Sequence, residues 1–96
     1  MTADFTDTVG KALTPGDWFL IDQPRINQFA EVTADRQYIH IDEARAAQSD
    51  LGGTIAHGFL LLSLLPELVR GSMLPPDNTV MAINYGFDKV LSLIHI

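Results

Sequence analysis

The chain has no cysteine, so its reactive side chains are His40 and His57, a set of carboxylates, and Ser, Thr and Tyr hydroxyls. Thiol nucleophiles, disulfide scaffolds and thiolate metal sites are excluded. The densest grouping is Asp35-Arg36-Gln37-Tyr38-Ile39-His40. An acid and an imidazole five positions apart, just past the end of a helix, can face one cavity if the backbone between them bends. Such a pair holds one water: the carboxylate orients it or accepts its proton, and the imidazole, which titrates nearest neutrality, does the other half of the transfer. The same spacing also fits a surface Asp beside a His half-covered by Tyr38 and Ile41. A second grouping, Thr54-Ile55-Ala56-His57-Gly58-Phe59, opens an apolar helix. The first N–H groups of a helix have no internal partner and lie at the positive end of its dipole. Gly58, having no side chain, lets an oxygen that gains negative charge approach its N–H. Gly58 equally fits a tight helix entry, with His57 packing locally.

The elements that must position these groups follow from local signals. Pro15-Gly16-Asp17 marks a turn, and Trp18-Phe19-Leu20-Ile21 reads as a short strand. Asp22 is an N-cap, with Pro24 tolerated in the first helical turn. Ile26, Phe29, Ala30 and Thr33 then form one apolar stripe on a helix of about three turns. The end of that stripe predicts loop or irregular backbone over 34–40. Asp42 caps a short helix through Ala44, Ala46 and Ala47, which Gly52-Gly53 breaks. The segment from Gly58 to Arg70 is apolar nearly all round and predicts a helix buried on most sides, bent by Pro66. Thr79 to Phe87 alternates around Met81, Ile83, Tyr85 and Phe87 and predicts a second strand. Two short strands cannot wrap a fully buried helix, which implies an incomplete chain.

Composition sets the outer bounds. Ninety-six residues suffice for one small domain or part of one, and 47% hydrophobic with 19% charged residues is the balance of a globular core. Six basic against twelve acidic residues give a net charge of −6. This argues against nucleic acid or an anionic membrane as partner. Met1 to Asp7 lack the basic-then-apolar order of a signal peptide, and the apolar run Phe59 to Leu65 falls far short of the roughly 20 residues of a membrane span. A cytoplasmic location is the expectation. Leu91-Ser92-Leu93-Ile94-His95-Ile96 is what the DNA string CTGTCTCTTATACACATC encodes, which resembles a transposon-end adapter used in sequencing-library preparation. Residues 91–96 are therefore read as a non-native tail, with no functional meaning for His95, and residues 1–90 as the N-terminal part of a single domain.

Phe29-Ala30-Glu31-Val32-Thr33-Ala34-Asp35-Arg36-Gln37-Tyr38-Ile39-His40-Ile41-Asp42, followed by Ala44 and Ala47, resembles the signature of MaoC-like (R)-specific enoyl-CoA hydratases. In that family an aromatic helix residue precedes D-x-N-P-[IL]-H and a helix of small residues. Ile55-Ala56-His57-Gly58-Phe59-Leu60 resembles the family's I-[AV]-H-G-M block, and Asn84-Tyr85-Gly86 the strand that follows; the likeness runs from about Asp17 to Val90. The resemblance implies an α+β hot-dog fold, an antiparallel sheet around a central apolar helix, with later strands missing here, and usually a homodimer. It implies that Asp35 and His40 are the catalytic pair that activates water and that Gly58 N–H binds a thioester oxygen. Gln37, Tyr38 and His57 join the oxyanion and substrate-binding set. The implied reaction is reversible syn addition of water to a trans-2-enoyl-CoA, giving the (R)-3-hydroxyacyl-CoA, a step of fatty acid metabolism. No cofactor is implied beyond the coenzyme A or carrier-protein thioester of the substrate, and no metal.

Gln37 and Tyr38 depart from the family's Asn-Pro. Gln37 keeps an amide one methylene longer, whereas Tyr38 gives up the rigidity of proline. Ser63 is available where the hydratases often have a polar residue one turn into the central helix. Other readings stay open: a hot-dog thioesterase, a non-catalytic acyl-thioester-binding subunit, and a metal site built from Asp35, His40, Asp42 and His57. The last lacks His-x-x-x-His spacing.

Overall fold

A computed structural model describes residues 6–72 and 79–92. Residues 18–65 form one compact unit; the described residues on either side belong to a second.

The first unit is built by caps and small residues. Helix α1 (Gln23–Thr33) starts where the Asp22 side chain accepts from Arg25 N–H, with Pro24 in the first turn, and it ends on Ala34 in the left-handed region at φ 61°. Its buried face is Ile26 and Ala30, as the stripe predicts, while Phe29 is half-buried. Thr33 departs from the stripe: it is exposed, and its hydroxyl donates to Phe29 O at 2.7 Å. A hydroxyl in the last helical turn bonds more cheaply to its own backbone than to a core. The Arg25 guanidinium lies over the Phe19 ring, 4.7 Å from its centroid.

The span 34–40 is only partly irregular. Tyr38–Ile41 close a helical turn, α2, through Asp42 N–H donating to Tyr38 O. Helix α3 (Glu43–Ala47) follows directly, because the Asp42 carboxylate accepts from Arg45 N–H at 3.0 Å. Ala46 is its buried residue, and α2 packs against both α1 and α3. The chain then passes through Gly52, at φ +73°, into the non-helical segment 54–57.

Helix α4 (Gly58–Ser63) and the single turn α5 (Leu65–Leu68) replace one long helix. Pro66 has no N–H to donate to Leu62 O, so the ladder stops at Leu64, which closes the turn onto Leu60 O and Leu61 O. The predicted burial of this segment is not observed. Leu60 is buried, but Phe59 is 75% exposed, and Leu61, Leu65 and Leu68 are also exposed. Burial of an all-round apolar helix depends on what covers it, and no sheet forms among the described residues.

The predicted strands Trp18–Ile21 and Thr79–Phe87 accordingly lack ladders: Trp18, Leu20, Met81, Ile83, Tyr85 and Phe87 lie exposed. An extended segment becomes a strand only when a neighbour pairs its N–H and C=O groups. Among its described residues the second unit holds the 3-10 turn Thr6–Thr8, most of α5, and irregular backbone over 79–92. His95 and most of the segment read as a tail lie outside the described residues.

Candidate active site

Every residue singled out for chemistry falls within the first unit. Asp35 leaves α1 just past the left-handed Ala34, exposed to solvent. Beside it, Arg36 reaches back to Glu31 in a two-pronged ion pair of 2.8 and 3.0 Å, which ties the loop to the last turns of α1. These bonds hold the Glu31 carboxyl below its ordinary value and the Arg36 guanidinium above its own.

His40 is buried in α2. Its Nδ1 lies 2.7 Å from Ile55 O. A carbonyl can only accept, so Nδ1 carries the proton and Nε2 is the basic nitrogen. Ile55 N–H in turn donates to Ile39 O at 2.9 Å, pinning the 54–57 segment alongside α2.

His57 is 3% exposed and occupies the position before α4 without a side-chain capping bond. Its ring stacks on that of His40, with centroids 3.8 Å apart and planes 21° apart, and meets Phe29 edge-on at 4.9 Å. Its Nε2 lies 3.0 Å from Asp35 O, so by the same logic Nε2 carries the proton; Nδ1 is buried without a partner among the described residues. One carboxylate oxygen of Asp35 and one ring nitrogen of each histidine lie within 4.8 Å of one another. A single water bonded at about 2.8 Å to two groups spans roughly 4.5 Å, so this separation suits one shared water. The acid and the imidazole thus converge, as their spacing allows.

The remaining candidates divide. Gly58 is exposed at the first position of α4, where its N–H has no intrahelical partner. Gln37 is exposed and precedes α2 without a side-chain cap. Tyr38 is half-buried, with the Arg45 guanidinium 3.8 Å from its ring centroid, a packing that replaces the rigidity of proline. Ser63 Oγ donates to Phe59 O at 2.6 Å within its own helix. Asp42 serves as the α3 cap and is not part of the cluster.

Sequence reasoning passed over Gln23. Its amide Nε2 donates to His40 O at 2.7 Å and to Asn27 Oδ1 at 2.9 Å, and its Oε1 accepts from Thr54 Oγ at 2.6 Å. Partners 17 and 31 positions away leave no trace in local spacing.

The profile of the family described as "MaoC like domain" matches residues 4–91. This chain belongs to the MaoC-like dehydratase family. It is 47% identical over 89 residues to Nodulation protein N of Rhizobium meliloti (strain 1021), covering 92% of this chain and 55% of that protein. It is 44% identical over 88 residues to 3-hydroxyacyl-thioester dehydratase Z of Mycobacterium tuberculosis (strain CDC 1551 / Oshkosh), covering 92% of this chain and 58% of that protein. A 3-hydroxybutyryl-CoA dehydratase of Methylorubrum extorquens is 42% identical over 52 residues, 54% of this chain and 32% of the relative. The chain therefore spans little more than half the length of the first two relatives. No helix among the described residues is long and apolar enough to cross a membrane.

Proposed function

We propose that the protein carrying this chain adds water reversibly to a trans-2-enoyl thioester, giving the (R)-3-hydroxyacyl thioester. The observation that supports this most is the convergence of the Asp35 carboxylate and the two imidazoles within 4.8 Å, with His57 immediately before the exposed start of α4 and all of them on the same compact unit.

In this mechanism Asp35 accepts a hydrogen bond from the bound water and orients it. His40 Nε2, left basic by the Nδ1–H bond to Ile55 O, takes a proton as the water oxygen attacks C3. The electron pair of the C2–C3 double bond moves toward the thioester carbonyl, whose developing negative charge Gly58 N–H receives. The proton is then returned to C2 from the same face. Water supplies both the hydroxyl at C3 and the hydrogen at C2, so the addition is syn and needs no redox cofactor. Gln37 contacts the substrate from the loop, and Tyr38 fixes that loop against Arg45.

The same reading has a hot-dog sheet close around the apolar α4 segment, a second copy complete the assembly, and residues 91–96 lie outside the working domain. It places the protein in the cytoplasm, in fatty acid metabolism. The test is to add a trans-2-enoyl-CoA to the complete protein. Loss of the conjugated enoyl-thioester absorbance without release of free thiol supports hydration. Thiol release would replace it with a thioesterase, and saturable binding without turnover would replace it with a non-catalytic subunit.

A further inference from the structure

We propose that Gln23 is a positioning residue that fixes the separation of the two halves of the site: the turn carrying His40, and the segment that delivers His57 and Gly58. This rests on the hydratase reading. The first half is held to the second by Ile55 N–H on Ile39 O and by His40 Nδ1–H on Ile55 O. A third tie, His57 Nε2–H on Asp35 O, joins the loop before α2 to the same segment, but none of the three reaches the start of α1. Gln23 supplies that tie. From the first position of α1 it grips the His40 carbonyl on one side and the Thr54 hydroxyl on the other, 2.7 and 2.6 Å away. The His40 carbonyl can only accept, which fixes the amide nitrogen on that side and the amide oxygen toward Thr54. The second amide hydrogen goes to Asn27, one turn along α1, so the side chain is anchored to its own helix and both its N–H groups are used. A half-buried amide satisfied in this way has one orientation, and it transmits the position of α1 to both halves at once.

Gln23 touches neither water nor substrate in this scheme, so its loss should act on rate through the placement of His40. Misplacement by about 1 Å costs up to roughly a hundredfold in rate. The test compares wild type, Gln23→Met, which keeps the shape without the polar atoms, and Thr54→Val, which removes a single tie. Two readouts are used: hydration of a trans-2-enoyl-CoA, and the imidazole N–H signal of His40 by 15N-edited NMR. For Gln23→Met the expectation is kcat down about tenfold or more with KM within about twofold, together with loss or rapid exchange of the His40 Nδ1–H signal. Thr54→Val should shift both in the same direction by less. A merely structural role would lower thermal stability and leave kcat per folded molecule unchanged. Wild-type kcat and an intact His40 signal in Gln23→Met would overturn the proposal, and if that variant does not fold, the same result in Thr54→Val would do so. If wild type itself shows no hydration, the hydratase reading falls, and the NMR comparison alone decides the role of Gln23.

Discussion

His40 and His57 stack face to face, 3.8 Å between ring centroids and 21° between planes, and each spends one nitrogen on a backbone carbonyl of the other side of the site. The pair acts as a buckle. His57 reaches back to Asp35 O, His40 reaches forward to Ile55 O, and the stacked rings hold the two crossings in contact.

The stack bears on metal binding. A histidine binds a metal in the plane of its ring, with Zn–N at about 2.0–2.1 Å. Rings stacked 3.8 Å apart and only 21° from parallel have no common in-plane point within that distance, so His40 and His57 cannot both bind one ion without one ring turning. Activity should therefore survive exhaustive treatment with a chelator, measured as enoyl-thioester absorbance loss. Loss on chelation and return with zinc would show that the Asp35–His40–His57 cluster holds an ion.

His57 should matter to stability in two separable ways. His57→Ala removes the ring packed on His40 and Phe29 and should cost about 2–4 kcal/mol in urea unfolding. His57→Phe keeps the ring and loses the bond to Asp35 O, worth about 1 kcal/mol, while removing the unpartnered buried Nδ1. It should cost clearly less than the alanine variant. Equal costs would mean that the stack contributes nothing.

Asp42 links α2 to α3, its carboxylate capping Arg45 N–H and its own N–H closing the preceding turn. Asp42→Ala should lower stability by about 1 kcal/mol, the usual value of a lost N-cap, and Asp42→Asn should restore most of it. An alanine variant as stable as wild type would show that packing of Ala46 alone holds α3.

The Glu31–Arg36 pair gives a pH signature. Because Arg36 lowers the Glu31 carboxyl in the folded state, the pair favours folding at neutral pH and loses that contribution as pH falls through the lowered value. The stability difference between wild type and Glu31→Gln should therefore be present at pH 7 and close on acidification. Both groups are exposed, so added salt should shrink it as well. A difference that persists unchanged in acid would assign it to some other effect of the substitution.

What was legible in the sequence was local. The Asp22 and Asp42 caps and the Ile26–Ala30 face each depend on residues within four or five positions, and the structure shows them; the single helix bent at Pro66 is instead two, parted at Leu64. Burial of Phe59 and Leu61 and pairing of Trp18–Ile21 were not legible, because each depends on a distant segment lying alongside. The Asp35–His40 convergence lay between the two: spacing permitted it, but the bend that brings it about comes from the left-handed Ala34 and the crossing bonds to Asp35 O and Ile55 O. Gln23 was invisible for the same reason. A glutamine before a proline at a helix start looks like any polar first-turn residue until His40 and Thr54 are placed around it.

The most direct test of the central claim is the hydration rate of Asp35→Asn and His40→Ala, read from enoyl-thioester absorbance, with thermal unfolding to show that each variant is folded. Loss of a general acid–base group should lower the rate by about 10²-fold or more in each. A folded variant of either kind that hydrates its substrate at the wild-type rate would contradict the account.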